Sequence, residues 1–268
     1  LREEVLAHYR TGAEQRRLKT WARLEFIRNL ELLERYLPSP PARVADVGGG
    51  PGTYAIPLSE QGHRVHLLDP VALHVEQAHS AAANAAVSLA SVDVGDARSL
   101  PWEDETMDAV VFFGPLYHLV SKTDRHAALS EARRVLVGGG LIFAMAISRF
   151  VSLHDGLMRH YLVDPKYRSI VHRDIEAGQH RNPDRDQRWF TTAYFHRPKD
   201  LEHELAEATF EVDALLAVEG PAGRISDLDW WLECTDRRDA LLQAIRCVES
   251  EPSLLGASPQ LLAVARKG

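Results

Sequence analysis

Four glycines fall within five residues, Gly48-Gly49-Gly50-Pro51-Gly52, directly after the short β-type run Arg43-Val44-Ala45-Asp46-Val47. Glycine at this density is needed where backbone turns sharply or lets a ligand come close, and a first strand that ends this way hands over to a helix. The chain that follows agrees. Apolar runs of strand length at 64–68, 86–92, 109–113 and 141–146 alternate with helical patterns at 53–61, at 71–83 and in the segment that runs to Val135. The order βαβαβαβαβ implies parallel strands joined by right-handed crossovers, an open α/β sheet that binds ligands at the carboxyl ends of its strands. A helix at 198–209, a strand at 211–218, a helix at 227–249 and a strand at 261–265 complete a doubly wound, mostly parallel sheet of seven strands. The last two are expected to form an antiparallel edge.

The alternation lapses twice. From Arg2 to Leu37 apolar residues such as Leu24, Ile27, Leu30, Leu33 and Leu37 recur at helical spacing and stop at Pro38. Between Ile147 and Tyr194 lies a polar and aromatic segment that does not read as a simple core helix. The expected division is a helical lid at 1–40, an α/β core at 41–147, an inserted cap at 148–195 and the remainder of the core at 196–268.

The formal charge of -7 on 268 residues argues against a surface made to neutralise nucleic-acid phosphates, so a small-molecule substrate is favoured. Cys234 and Cys247 cannot make a disulfide framework and are read as reduced thiols. With no signal-like leader and no window of membrane-spanning length, a cytoplasmic monomer or homodimer without membrane contact is expected. The histidines show no metal-ligand spacing, and no metal is expected.

The glycine loop also excludes. A dinucleotide fingerprint Gly-x-Gly-x-x-Gly counted from Gly48 needs glycine where Thr53 stands, and Pro51 removes a backbone donor from a loop that would grip pyrophosphate. No Gly-Lys-Ser/Thr ending marks a nucleoside-triphosphate loop either.

What remains is Asp-x-Gly-x-Gly-x-Gly. With Asp46, Gly48, Gly50 and Gly52 it resembles the first motif of the class I S-adenosylmethionine-dependent methyltransferases, which have a Rossmann-like fold. The resemblance implies that Gly48, Gly49 and Gly50 pass the methionyl part of the cofactor and that Asp46 positions the loop or the cofactor's ammonium group. Asp69, at the end of the second strand, matches the acidic residue that takes the ribose hydroxyls. Asp69 also suits the N-cap of the next helix, with Pro70 at its first position. Gly95-Asp96-Ala97 is similar to the family's adenine segment, Asp96 accepting from the amino group, with Asp93 as its near competitor. Gly114, Tyr117 and His118 leave the fourth strand toward the transferring methyl, and Tyr117 and His118 are the catalytic candidates, His118 as general base. In the lid, Tyr9 is expected to cover the cofactor and Arg17 to meet its carboxylate. In the cap, His180 or His196 is expected as a base and Arg181 as a carboxylate holder.

The function implied is methyl transfer from S-adenosylmethionine to an O, N or C atom of a small molecule, releasing S-adenosylhomocysteine. The same fold also admits non-methyl chemistry on the sulfonium, or cofactor binding without turnover.

Overall fold

The computed structural model of the chain describes residues 3–10, 17, 18, 20 and 22–268. Among the described residues, α1 (Glu3–Tyr9) and α2 (Arg23–Tyr36) precede the sheet. The expected helix over 2–37 is therefore not continuous. Thr20 and Ala22 lie in turns closed on the Arg17 carbonyl, and 11–16 lie outside the described residues. Helix α2 ends because Leu37, which precedes Pro38, is extended at φ -60°, ψ 145°.

The core runs β1 (Arg43–Val47), α3 (Ala55–Glu60), β2 (Arg64–Asp69), α4 (Ala72–Ala85), β3 (Ser91–Val94), β4 (Met107–Phe112), α5 (Pro115–His118), α6 (Lys122–Val135) and β5 (Leu136–Ile147). After the insertion come α9 (Pro198–Glu207), β8 (Phe210–Ala217), α10 (Leu228–Leu232), α11 (Thr235–Val248) and β9 (Gln260–Lys267). The seven strands lie in the order β3-β2-β1-β4-β5-β9-β8. All neighbours are parallel except β9, which enters between β5 and β8 and is antiparallel to both. The chain thus leaves β1 toward one edge and returns beside it as β4, which puts the crevice of the sheet between the ends of β1 and β4.

Side chains alternate across the pleat. Val44, Val65, Leu67, Val111 and Phe143 face a layer holding Leu32, Leu33, Leu58 and Ala78. Ala45, Val47, Val110, Phe112 and Ile142 face the opposite layer with Ala128, Leu129, Leu201 and Leu205. Both faces are buried, which is why these strands read as nearly continuous apolar runs.

Three boundaries of the core depart clearly from expectation, the first being the fifth strand, which begins at Leu136 rather than 141 and takes in Gly138–Gly140. The third strand starts at Ser91 rather than at 86, because Ala86 adopts a left-handed conformation (φ 56°, ψ 33°) that closes α4. Residues 87–90 then carry the chain to the sheet. The helix expected over 227–249 is broken at Cys234, whose extended backbone (φ -118°, ψ 131°) starts α11 afresh.

The insertion contains α7 (Val151–Met158), α8 (Pro165–Ala177) and a two-residue ribbon of β6 (Gln179–His180) and β7 (Ala193–Tyr194). Tyr167, Ile170, Val171 and Trp189 make its own small core. A buried polar network ties it to the sheet. Arg125 of α6 forks onto Glu204 of α9 at 2.8 and 2.6 Å, and Tyr194 stacks with its ring centroid 3.7 Å from that guanidinium. Arg149, just past β5, donates to the Phe195 carbonyl at 2.7 Å and to Asp200 at 2.7 Å.

Candidate functional site

A cleft of about 980 Å³, including its open mouth, lies at the crevice between β1 and β4. It is lined by Tyr9, Arg17, Asp46, Gly48, Gly49, Gly50, Asp69, Pro70, Asp96, Ala97, Gly114, Tyr117 and His118. Of the site residues named from the sequence, only Gly52, Asp93, His180, Arg181 and His196 do not line it.

The glycine loop needs its glycines for geometry. Gly48, Gly50 and Gly52 have φ of 75°, 56° and 83°, where other residues are strained. A side chain on Gly48 would also press on Pro115 at 3.1 Å, because the loop abuts the turn at Gly114, whereas Gly50 faces open space. The loop is hung from β2 through Gly48 N–H to the Leu68 carbonyl at 2.7 Å and Gly50 N–H to Asp69 Oδ2 at 2.9 Å.

Asp69 is not the N-cap of α4, because that position falls on Val71 and Pro70 lies outside the helix. Asp69 Oδ1 accepts from Val71 N–H at 2.8 Å and from His74 Nδ1 at 3.0 Å, while Oδ2 holds the loop. Asp46, beneath the loop, is fully buried, and neither carboxylate oxygen has a well-formed hydrogen bond among the described residues. Burial, then the neighbouring Asp69 charge, pushes its carboxyl up to about 7 against a pull from the Ala55 backbone. Asp96 is gripped by Arg98 through its Nε, Nη2 and backbone N–H, and that guanidinium holds the carboxyl below its ordinary range.

At the β4 side, His118 is 7% exposed, and its Nε2 lies 2.6 Å from the Tyr9 hydroxyl. Burial, then the charge of His8, pulls the imidazole down to about 3, so the ring is neutral at physiological pH. Tyr117 stacks edge-on to it with centroids 4.6 Å apart. Arg17 forks onto Glu25 at 2.6 and 2.9 Å. The lid and the insertion meet over this end, where Phe190 packs on His8 and His118 and Thr191 Oγ1 donates to the Glu4 carbonyl at 3.5 Å.

The insertion's other candidates lie elsewhere. His180 is 2% exposed, with Nδ1 on Asp174 at 2.7 Å, Nε2 on the Phe190 carbonyl at 3.2 Å and its ring stacked on Phe195. It is not brought to the cleft, and both its nitrogens are engaged. His196 is buried beside Glu204 at 3.4 Å, within the network on Arg125. Arg181 donates to the His180 carbonyl and to Gln179 at the end of β6. All three knit the insertion together.

Other lining residues escaped the sequence reading: Glu25, Tyr54, His74, Phe113 and Met145. Tyr54 and Phe113 adjoin the two motifs that build the site, so adjacency was the available signal. Glu25 and Met145 arrive from elements whose local pattern is plain helix and plain strand.

Residues 44–140, spanning β1 to the early part of β5, match the family model of the methyltransferase domain. This part of the chain is a methyltransferase domain. A malonyl-[acyl-carrier protein] O-methyltransferase of Geobacter sulfurreducens is 33% identical over 156 residues, 56% of this chain and 51% of that protein. A human protein named "Probable tRNA methyltransferase 9B" is 33% identical over 112 residues, 41% of this chain and 23% of its own length. The chain spans about half or less of the curated relatives it matches. A methyltransferase structure from Methanosarcina mazei shares the fold at 18% identity and a TM-score of 0.59, covering 88% of this chain and 96% of that one.

The residues around the cleft of this domain fit S-adenosylmethionine on their own chemistry. Asp46 is a buried carboxyl whose oxygens have no well-formed hydrogen bond among the described residues, the open side of Gly50 admits a ligand to the backbone, and Asp69 is pinned in place as an acceptor. Among the described residues no cluster of three or more candidate metal ligands occurs, and no helix is long and apolar enough to cross a membrane.

Proposed function

We propose that this chain transfers the methyl group of S-adenosylmethionine to an O, N or C atom of a small-molecule acceptor and releases S-adenosylhomocysteine. The observation that carries this reading is the convergence of the loops after β1, β2, β3 and β4 on one cleft, each bringing its motif residue to the same space. Asp69 would hold the ribose, Asp96 and Ala97 the adenine, and the Gly48–Gly50 loop with Asp46 the methionyl end. The cofactor supplies an already activated methyl, so the protein's share is to place the acceptor in line and keep water out.

A small acceptor suits a cleft whose end is roofed by α1 and Phe190, and the net charge of -7 argues against a surface made to neutralise tRNA phosphates. Residues 1–40 would act as a lid and 148–195 as a cap on the acceptor side. His118, neutral and hydrogen-bonded to Tyr9, serves here as an acceptor that orients groups near the methyl.

Methyl-labelled S-adenosylmethionine tests the reaction. Label should pass to an acceptor from a metabolite extract with equal release of S-adenosylhomocysteine, whereas label retained in methylthioadenosine would mean other sulfonium chemistry.

Asp46 gives the binding a pH signature. Below about 7 its carboxyl keeps a proton that a neighbouring ammonium group would expel, so affinity should rise about tenfold between pH 6 and pH 8 and then level off. Its raised pKa also means that the ligand-free fold loses stability as pH climbs from the ordinary carboxylate range through about 7. Asp46→Asn should remove both effects: a higher melting temperature at pH 8 than the parent, and weaker S-adenosylhomocysteine binding with a flat pH profile. Calorimetric titrations and melts at pH 6 and 8 read both. An Asn variant with the parent's pH-dependent affinity would take Asp46 out of the site.

A further inference from the structure

His74 stands in the first turn of α4, five residues after Asp69, and lines the cleft at 3% exposure. Its Nδ1 is 3.0 Å from Asp69 Oδ1. A carboxylate oxygen accepts, so a proton sits on Nδ1, and in that tautomer Nε2 offers a lone pair. That Nε2 is buried and has no hydrogen-bond partner among the described residues. The Tyr9 ring lies across it, edge-on, with centroids 5.5 Å apart, so the lid covers this nitrogen without satisfying it. Buried polar groups are rarely left so unless a partner arrives with a ligand.

Counting acceptors on Asp69 says which partner. An ionised carboxylate has roughly four lone-pair positions. Three N–H groups, from Gly50, Val71 and His74, already use Asp69. One position is left for a ligand hydroxyl. A ribose presents two adjacent hydroxyl hydrogens, one more than Asp69 can take.

We infer that His74 is a second ribose-binding residue, its Nε2 accepting one hydroxyl of the cofactor's diol while Asp69 accepts the other. This rests on the cofactor reading given above. The Asp69–His74 pair then acts as a unit, in which the carboxylate fixes the tautomer and the orientation of the ring.

The test is calorimetric titration of S-adenosylhomocysteine and its 2′-deoxy and 3′-deoxy analogues into the wild-type chain, His74→Ala and His74→Asn. The Asn amide can still donate to Asp69 as Nδ1 does, but it has nothing at the Nε2 position. Both variants should bind S-adenosylhomocysteine about five- to tenfold more weakly. For one deoxy analogue the loss should vanish, because the hydroxyl that Nε2 accepts is gone. His74→Asn binding as tightly as wild type would overturn the inference, leaving His74 as a prop for Asp69. A loss that persists for both analogues would overturn it as well. If the variants do not fold, the ring nitrogens of wild-type His74 decide by NMR. Adding S-adenosylhomocysteine should move the Nε2 resonance upfield, and an unmoved resonance would contradict the proposal. Failure of the wild-type chain to bind S-adenosylhomocysteine would instead sink the cofactor reading itself.

Discussion

Asp69→Ala is expected to weaken S-adenosylhomocysteine binding by about 2–3 kcal/mol, some 30- to 150-fold, because it strands buried donors as well as removing the ribose acceptor. Gly50 N–H, which Asp69 holds at 2.9 Å, would lose its anchor just where the loop must present backbone to the methionyl group. Val71 N–H and His74 would lose theirs at the start of α4. Ligand-free stability should also fall by about 1 kcal/mol, the usual loss when a buried N–H is deprived of its acceptor. Calorimetry and a ligand-free melt separate the two effects. A variant that melts lower yet binds as the parent does would leave Asp69 a purely structural residue.

The second large effect lies outside the cleft. Arg125→Ala should destabilise the fold by about 3–5 kcal/mol, the range for orphaning one member of a buried ion pair. Arg125 is 2% exposed and Glu204 7%. The guanidinium also caps the Leu119 and Val120 carbonyls at 3.0 Å and stacks on Tyr194. Remaining beside Glu204 is His196, whose own protonation is disfavoured by burial. The pair holds the Glu204 carboxyl down at about 2, a position lost with its partner. Replacing both residues, as Arg125→Met with Glu204→Leu, should recover most of the loss, since no charge is then left unpaired. Urea unfolding with an unchanged slope measures it. A single-variant loss under about 1 kcal/mol would show that the network is solvated and contributes little.

These two sites also mark what could be read from the sequence. The residues around Asp69 were legible because their chemistry is local: Asp46 through Gly52, Asp69-Pro70 and Gly95-Asp96-Ala97 each sit at the end of one apolar run, and parallel topology brings such ends together without further information. His180 was misread for the opposite reason. Its fate depends on Asp174, Phe190 and Phe195, which meet it through the fold of the insertion, and nothing in Gln179-His180-Arg181 announces those partners. His74 went unnoticed because a histidine on a helix is common, and its meaning comes from Asp69 one turn away. The strand order was partly hidden as well. An antiparallel edge was readable, but the insertion of β9 between β5 and β8 rests on pairing of residues more than a hundred positions apart, such as Ile142 with Ala265. Cys234 breaks its helix without proline or glycine, so no local signal marked the break.

A crystal structure of the chain grown with saturating S-adenosylhomocysteine tests the central claim most directly. The account predicts the ribose against Asp69, the adenine beside Asp96 and Ala97, the methionyl group along Gly48–Gly50 above Asp46, and the sulfur facing Tyr117 and His118. The nucleoside bound away from this cleft, or the cleft empty at saturation, would contradict it.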